Sequence, residues 1–264
     1  MSTVDKHEPG TIGWLDLMTT SVEAARPFYE QLFGWTIEIG APEYGGYGMC
    51  TSGGRNAAGI GPGMPGSKHP PAWTVYFFTD DALATAARVT EHGGAVIMPP
   101  MDVMEQGRMM IASDATGAVF GVWQPNQHGG AQVANQHGAI AWAEVNTRDA
   151  GKASGFYAAV FDLEARKLEA PGMEYWTLHR DGRPVGGVLQ MDDHWPAAVP
   201  AHWMPYFQVD DVDAATKQVT ALGGKVCVAG FDSAYGRIAV VEDPQGATFS
   251  IMHPAASNPG PSQA

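Results

Sequence analysis

Short apolar or alternating runs recur along the chain, each closed by a polar or glycine-rich break. Leu15-Asp-Leu-Met-Thr19 and Val75-Tyr-Phe-Phe-Thr79 have the composition and length of half-buried strands. Each is followed by a helix start. Thr20-Ser-Val-Glu23 has capping-box spacing, which lets Glu23 reach back to a free amide of the first turn. Asp80-Asp81 precedes an alanine-rich segment that runs to Gly93-Gly94, where a left-handed cap is expected. Pro27 falls inside the first helix, where a missing amide bond costs about 3 kcal/mol or bends the axis. Glycine-punctuated strands such as Arg108–Ser113 and Ala118–Trp123 come next. The resulting unit is strand–helix–strand–strand–strand.

That unit repeats. Trp14-Leu-Asp-Leu-Met-Thr19 matches Trp142-Ala-Glu-Val-Asn-Thr147 at a spacing of 128 residues, and Phe28-Tyr29 matches Phe156-Tyr157 at the same spacing. Trp73–Asp81 matches Trp203–Asp211 at 130, and Asp114-Ala-Thr-Gly117 matches Asp243-Pro-Gln-Gly246 at 129. His92-Gly-Gly94 pairs with Leu222-Gly-Gly224, and Gly107-Arg108 with Gly236-Arg237. Blocks this long in register mark a tandem duplication. Each half holds two related units. The expected organisation is a first domain over 1–124, a polar linker over 125–138, a second domain over 139–253 and a frayed tail over 254–264.

Phe28-Tyr29-Glu-Gln-Leu-Phe-Gly-Trp35, following a strand and a capped helix, resembles the vicinal-oxygen-chelate superfamily of glyoxalase I, bleomycin-resistance proteins and extradiol dioxygenases. Asp243-Pro-Gln-Gly-Ala-Thr-Phe249 is similar to the turn before that superfamily's closing strand. The likeness spans about residues 12–253 and points to a two-half, four-module actinobacterial glyoxalase-like subgroup, also loosely described as hydroxylases. It implies an α+β fold: four βαβββ modules in two tandem repeats, forming curled mixed sheets, or cups, with helices outside.

Composition narrows the function classes. Acidic side chains number 28 against 15 basic ones, a net charge of −13, which disfavours nucleic acid and anionic membrane surfaces. Hydrophobic residues at 45% exclude a disordered chain, despite 33 glycines and 19 prolines. Two cysteines, Cys50 and Cys227, form no metal-binding spacing and fit a reducing compartment. With no signal-peptide pattern at MSTVDKHEPG, a cytoplasmic protein is expected, monomeric or homodimeric.

Metal-dependent members of the resembled superfamily carry a ligand at the start of the first strand and a glutamate on the closing strand. The matching positions here are Trp14 and Trp142, about Thr74 and Met204, and Gly121 and Ser250. Tryptophan offers only an N–H donor and glycine nothing. No metal and no other cofactor is therefore expected; the alternative is a site formed by His202 with Asp16 or Glu144.

Period-two alternation puts Leu15 and Leu17 under the helix, and Trp14, Asp16 and Met18 in the first cup. Trp142, Glu144 and Asn146 are their counterparts. Tyr76 with Phe78, Tyr206 with Gln208, Gly121 with Trp123, and Ser250 with Met252 complete the two linings. Carboxylates among tryptophans suit a small aromatic or cationic metabolite held by stacking and cation–π attraction. Alternatively Asp16 and Glu144, raised in pKa by an apolar cup, act as acid and base of a lyase or isomerase on a carbonyl or polyketide-like substrate. A third reading has the aromatics fill the cups of a scaffold protein. Arg108 and Arg237 either hold a substrate anion or pair with surface acids. No nucleophile elbow or phosphate loop is present.

Overall fold

The computed structural model describes residues 2–4, 6–41, 45–63, 70–170 and 173–255, and within them the four units form as expected. The first is β2 (Ile12–Thr19), α1 (Val22–Phe33), β3 (Thr36–Ile39), β4 (Gly48–Ser52) and β5 (Arg55–Pro62), after a short β1 (Ser2–Thr3). The second is β6 (Ala72–Phe78), α2 (Ala82–Glu91), β7 (Ala95–Val103), β8 (Gly107–Ser113) and β9 (Val119–Pro125). After β10 (Val133–Ala134) comes the third: β11 (Ile140–Thr147), α3 (Ala150–Phe161), β12 (Glu164–Ala170), β13 (Met173–Arg180) and β14 (Arg183–Gln190). The fourth is β15 (His202–Gln208), α4 (Val212–Ala221), β16 (Lys225–Ser233), β17 (Gly236–Glu242) and β18 (Thr248–Pro254).

Modules pair within each half. The eight-stranded sheets have the orders β3-β4-β5-β2-β6-β9-β8-β7 and β12-β13-β14-β11-β15-β18-β17-β16. β2 runs antiparallel to β6 at each centre and parallel to the last strand of its own module, as β11 does with β15 and β14. Helices occupy the outer faces of the cups, and the two halves meet there. Phe33 of α1 packs 4.9 Å from Phe207 of the opposite sheet, and Phe161 of α3 stacks 4.3 Å from Phe77. One continuous core thus draws Leu15, Leu17, Tyr29 and Phe77 together with Val145, Tyr157, Phe207 and Phe249. Each such side chain contributes roughly 1.5–3 kcal/mol by leaving water, so the shared core, not the connector, joins the halves.

Polar bonds cross the same junction. The Tyr29 hydroxyl donates to Asp243 Oδ2 at 2.9 Å, and Tyr157 donates to Asp114 Oδ2 at 2.9 Å. The Phe-Tyr helix of each half therefore completes the Asp-x-x-Gly turn of the other.

The cap of the first helix differs from the sequence pattern. Ser21, not Thr20, caps α1, accepting from the Ala24 amide, while Glu23 takes the Ser21 hydroxyl at 3.2 Å instead of closing a capping box. Helix α2 ends at Glu91 with His92 as its cap, and Gly93 takes the expected left-handed conformation at φ 84°. Pro254 belongs to β18 and the Ala255 amide bonds Tyr235 O at 3.0 Å; the rest of the expected tail, 256–264, lies outside the described residues. The segment after β9 packs closely: Ala131, Val133 and Ala134 are buried, and β10 pairs with β1.

Candidate functional site

A β-bulge aims the key tryptophans. The register between β2 and β6 shifts between Ile12 and Trp14, and that between β11 and β15 shifts between Ile140 and Trp142. Without the shift, residues two apart would share a face. With it, Ile12 and Ile140 enter the shared core, while Trp14 joins the cup-side cluster with Tyr76, Phe78 and Trp123. From there, alternation places Asp16 and Met18 on the cup side of β2, and Glu144 and Asn146 on that of β11.

The second cup contains a continuous relay of indole, phenol and carboxyl, and the first has the same kinds of bond on two separate tyrosines. In the second, Trp142 Nε1 donates to the Tyr175 hydroxyl at 2.9 Å, and Tyr175 donates to Glu144 Oε2 at 2.9 Å. Tyr206 donates to Glu144 Oε1 at 2.6 Å. In the first, Trp14 Nε1 donates to Tyr47 at 3.1 Å and Tyr76 donates to Asp16 Oδ2 at 2.9 Å. Among the described residues, the shorter Asp16 holds one phenol where Glu144 holds two.

The alternation pattern does not single out Tyr47 and Tyr175, because Tyr175 lies on the third strand of its module and Tyr47 immediately before the matching strand. The 128-residue spacing that links the tryptophans also links these tyrosines, and links Gly59 with Gly187. A Cβ at Gly59 would overlap the Tyr47 hydroxyl, and one at Gly187 the Tyr175 hydroxyl. The glycines therefore give the phenols room to lie across the sheet.

Burial dominates the electrostatics. Hydrogen bonds to a charged carboxylate stabilise it by about 1.5–3 kcal/mol each, but losing hydration costs several kcal/mol when no cation is near. Burial pushes the Asp16 carboxyl up to about 7 against the opposing pull of Tyr76, although its side chain is only partly covered. Burial also raises Glu144, against Tyr206 and Tyr175. Burial and the adjacent carboxylate hold Tyr47, Tyr76, Tyr175 and Tyr206 well above the usual phenol range, so all four remain donors.

Beyond these bonds the cups are unlike. Phe78, Gly121 and Trp123 line the first, where Gln208, Ser250 and Met252 line the second. The segment after β9 crosses the first cup at its tryptophan end. His128 lies 4.4 Å from the Trp14 ring and accepts the Trp123 indole N–H at its carbonyl, 2.9 Å. The Ala131 amide bonds Gly13 O, and His7 Nε2 bonds Ala131 O at 2.8 Å. Trp14, Tyr76 and Trp123 are left 4–6% exposed, whereas Trp142, Tyr206 and Gln208 remain partly exposed. Burial lowers His128 to about 4, so it is neutral in this strap.

The residues present do not fit the metal centre that the fold type implies. The indoles standing at the first-strand positions donate to phenols, Glu144 already accepts two phenol protons, and the closing-strand positions are Gly121 and Ser250. His202 bonds Pro200 O at 2.8 Å and Asn146 Nδ2 at 3.3 Å. It stands on the second sheet, so the pairing with Asp16 of the first does not form. Among the described residues, no three His, Cys, Asp or Glu side chains gather to hold a metal ion. Arg108 forks onto Asp102 at 2.7 and 3.2 Å, and Arg237 bonds Asp213 and Asp232 at 2.8 and 3.1 Å, which makes both arginines partners of surface acids. No helix of the described residues is long and apolar enough to cross a membrane.

Comparison with known proteins agrees with this architecture. Residues 11–122 match the Glyoxalase/Bleomycin resistance protein/Dioxygenase superfamily, and residues 142–252 match the Glyoxalase-like domain. The chain is 41% identical to "Putative glyoxylase CFP32" of Mycobacterium tuberculosis, over 95% of this chain and 97% of that one. It is 37% identical to the Anthracycline biosynthesis protein DauV of Streptomyces sp. (strain C5), over 96% and 98% of the two chains. The fold alone is shared with the Mn(II)-bound glyoxalase of Novosphingobium aromaticivorans, at a TM-score of 0.65, 12% identity and coverage of 95% and 83%.

Proposed function

The chain belongs to the glyoxalase/bleomycin resistance protein/dioxygenase superfamily, and we propose that within it this protein binds a small aromatic or cationic metabolite in a cup without a metal. One observation carries the reading. Where a metal-binding member would place its ligands, this chain has a tryptophan that donates to a tyrosine, with a buried carboxylate held by phenols alone. Aromatic faces next to a carboxyl with no cationic partner offer stacking, hydrogen bonding and cation–π attraction, each worth about 0.5–2 kcal/mol. The relatives named for anthracycline biosynthesis are in keeping with an aromatic ligand.

Tryptophan-fluorescence titration with a panel of hydroxylated anthraquinones and aromatic amines tests the proposal. Saturable quenching that Trp142→Ala weakens at least fivefold is expected. Stoichiometric manganese, zinc, nickel or iron bound through a cup, found by elemental analysis, would overturn the metal-free part.

A second reading rests on the Asp16 carboxyl, raised to about 7 beside Tyr76. At neutral pH such a group exchanges a proton readily, which suits enolisation or dehydration of a carbonyl compound. In its ionised form it takes a proton from the carbon next to the carbonyl, and as the acid it returns one. Turnover of such a substrate that survives both Asp16→Asn and Glu144→Gln would remove this role.

A further inference from the structure

The duplication suggests two equivalent sites, yet the side chains point to one. Resting on the small-molecule reading above, we infer that the second cup alone binds ligand, and that the ligand is a neutral aromatic molecule bearing a hydroxyl or carbonyl group. The first cup is an internally packed half whose interior is completed by the chain itself.

The strongest observation is a pair of unpaired polar groups on the lining strands of the second cup; the first cup's unpaired atom, His128 Nε2, belongs to the segment that crosses it, not to a lining strand. Ser250 Oγ, fully buried on the cup side of β18, has no hydrogen-bond partner of sound geometry among the described residues, although it faces Tyr206 from the neighbouring strand. Asn146 is 2% exposed; one amide atom meets His202, and Oδ1 has no partner among the described residues. Whichever way the amide is turned, one of its polar atoms remains unpaired. Buried groups in this condition carry an unrelieved desolvation penalty, which a ligand hydroxyl or carbonyl relieves. At the matched places the first cup has Gly121 and Met18, which make no such demand.

The first cup also contains its own aromatic occupants. Phe78 and Trp123 replace the smaller or polar Gln208 and Met252, and they pack with Trp14, Tyr76 and Ala131 as a single apolar cluster. His128, edge-on to Trp14 at 4.4 Å and 82°, occupies the place a flat ring would take against that indole. Asp16 remains partly exposed, but its cup-side neighbours Met18 and Met49 add no hydrogen-bonding group of their own.

Ligand charge follows from what surrounds Glu144. Burial and the two phenols are its only influences, with no basic side chain among them, so an anion has no partner there. Both carboxyl oxygens already receive phenol protons at 2.6 and 2.9 Å, which leaves a cation little to gain. The groups that remain, on Asn146, Ser250 and Gln208, are uncharged donors and acceptors.

Isothermal titration at pH 7 with 2-naphthol, 2-naphthoate and 2-naphthyltrimethylammonium separates the possibilities, because the ring is constant and only the polar group changes. The expected result is one 2-naphthol per chain, bound at least fivefold more tightly than either ion. Ser250→Ala and Trp142→Phe should each weaken it fivefold or more with urea midpoints close to wild type, while Trp123→Phe leaves it within twofold. Two equivalents per chain, preference for the ammonium or carboxylate probe, or loss of binding on Trp123→Phe with Ser250→Ala unaffected would overturn the inference and leave small-molecule binding standing. No binding of any probe would overturn both.

Discussion

Tyr29 of the first half gives its hydroxyl proton to Asp243 of the second at 2.9 Å, and Tyr157 makes the same bond to Asp114 in return. The carboxylates they reach are buried and already committed: Asp243 Oδ1 accepts the amides of Gln245 and Ala247 at 2.8 and 3.0 Å. Tyr29→Phe therefore leaves one buried oxygen without its donor. A loss of about 1–3 kcal/mol in urea unfolding is expected, and a larger one for Asp243→Ala, which also frees the turn. Fluorescence and circular dichroism should report a single coincident transition, since the halves share one core. Two separated transitions would contradict that shared core.

Asp16 should make stability fall as pH rises. Its carboxyl titrates near 7 when folded, against a reference value of 3.8, so the folded state retains its proton longer. The favourable contribution is complete below about pH 4 and lost as pH climbs through 7. Asp16→Asn removes this dependence and should be the more stable protein at pH 8, with the gap closing towards pH 4. Parallel urea midpoints at both pH values for the two proteins would show that Asp16 titrates normally.

His128 acts in the opposite sense. Burial lowers it to about 4 from 6.5, so the folded state gives up the proton that the unfolded chain retains. Its contribution is present above about pH 6.5 and lost as pH falls through 4. Amide exchange across residues 128–134, corrected for its intrinsic pH dependence, should accelerate at pH 4–5 in the wild type. In His128→Asn the acceleration should be absent; equal acceleration in both would assign it to another group.

Gly187→Ala would drive a methyl group into the Tyr175 hydroxyl and press on Trp142 Nε1, 3.1 Å away. A destabilisation of about 1–3 kcal/mol is expected from the overpacking, with ligand binding at the second cup weakened about tenfold. Binding and stability both at wild-type level would mean that Tyr175 has room to move without cost.

Much of this was readable in the sequence, and the exceptions have physical causes. The alternation through Leu15, Asp16 and Leu17 sorts cup from core, because a strand has only two faces. It does not reveal the bulge at Gly13 that separates Ile12 from Trp14, since an inserted residue leaves no periodic trace. Tyr47 and Tyr175 escape the pattern because Tyr47 stands just before β4 and Tyr175 near the start of β13, outside the central strands whose alternation sorts cup from core, although the repeat spacing marks them. His128 was indistinguishable from a surface histidine: PNQHGGAQVANQHG is polar in composition, and its burial depends on the shape of the cup it crosses. The capping box shifts by one residue because Ser21 is the stronger cap and the Thr20 hydroxyl bonds Gln245 of the other half instead.

The crossed tyrosine–aspartate bonds have a consequence for how the two halves can change. A half-length chain would carry both a tyrosine lacking an acceptor and a turn lacking a donor, and would be complete only as a symmetric pair of copies. In such a pair every substitution falls on both cups at once. Joined end to end, the halves keep the mutual bond while each inherits its substitutions separately. Phe78 and Gln208, Gly121 and Ser250, and Trp123 and Met252 record that independence at three matched positions. Covalent fusion thus allows one cup to specialise in rigidity while its twin remains free to explore chemistry.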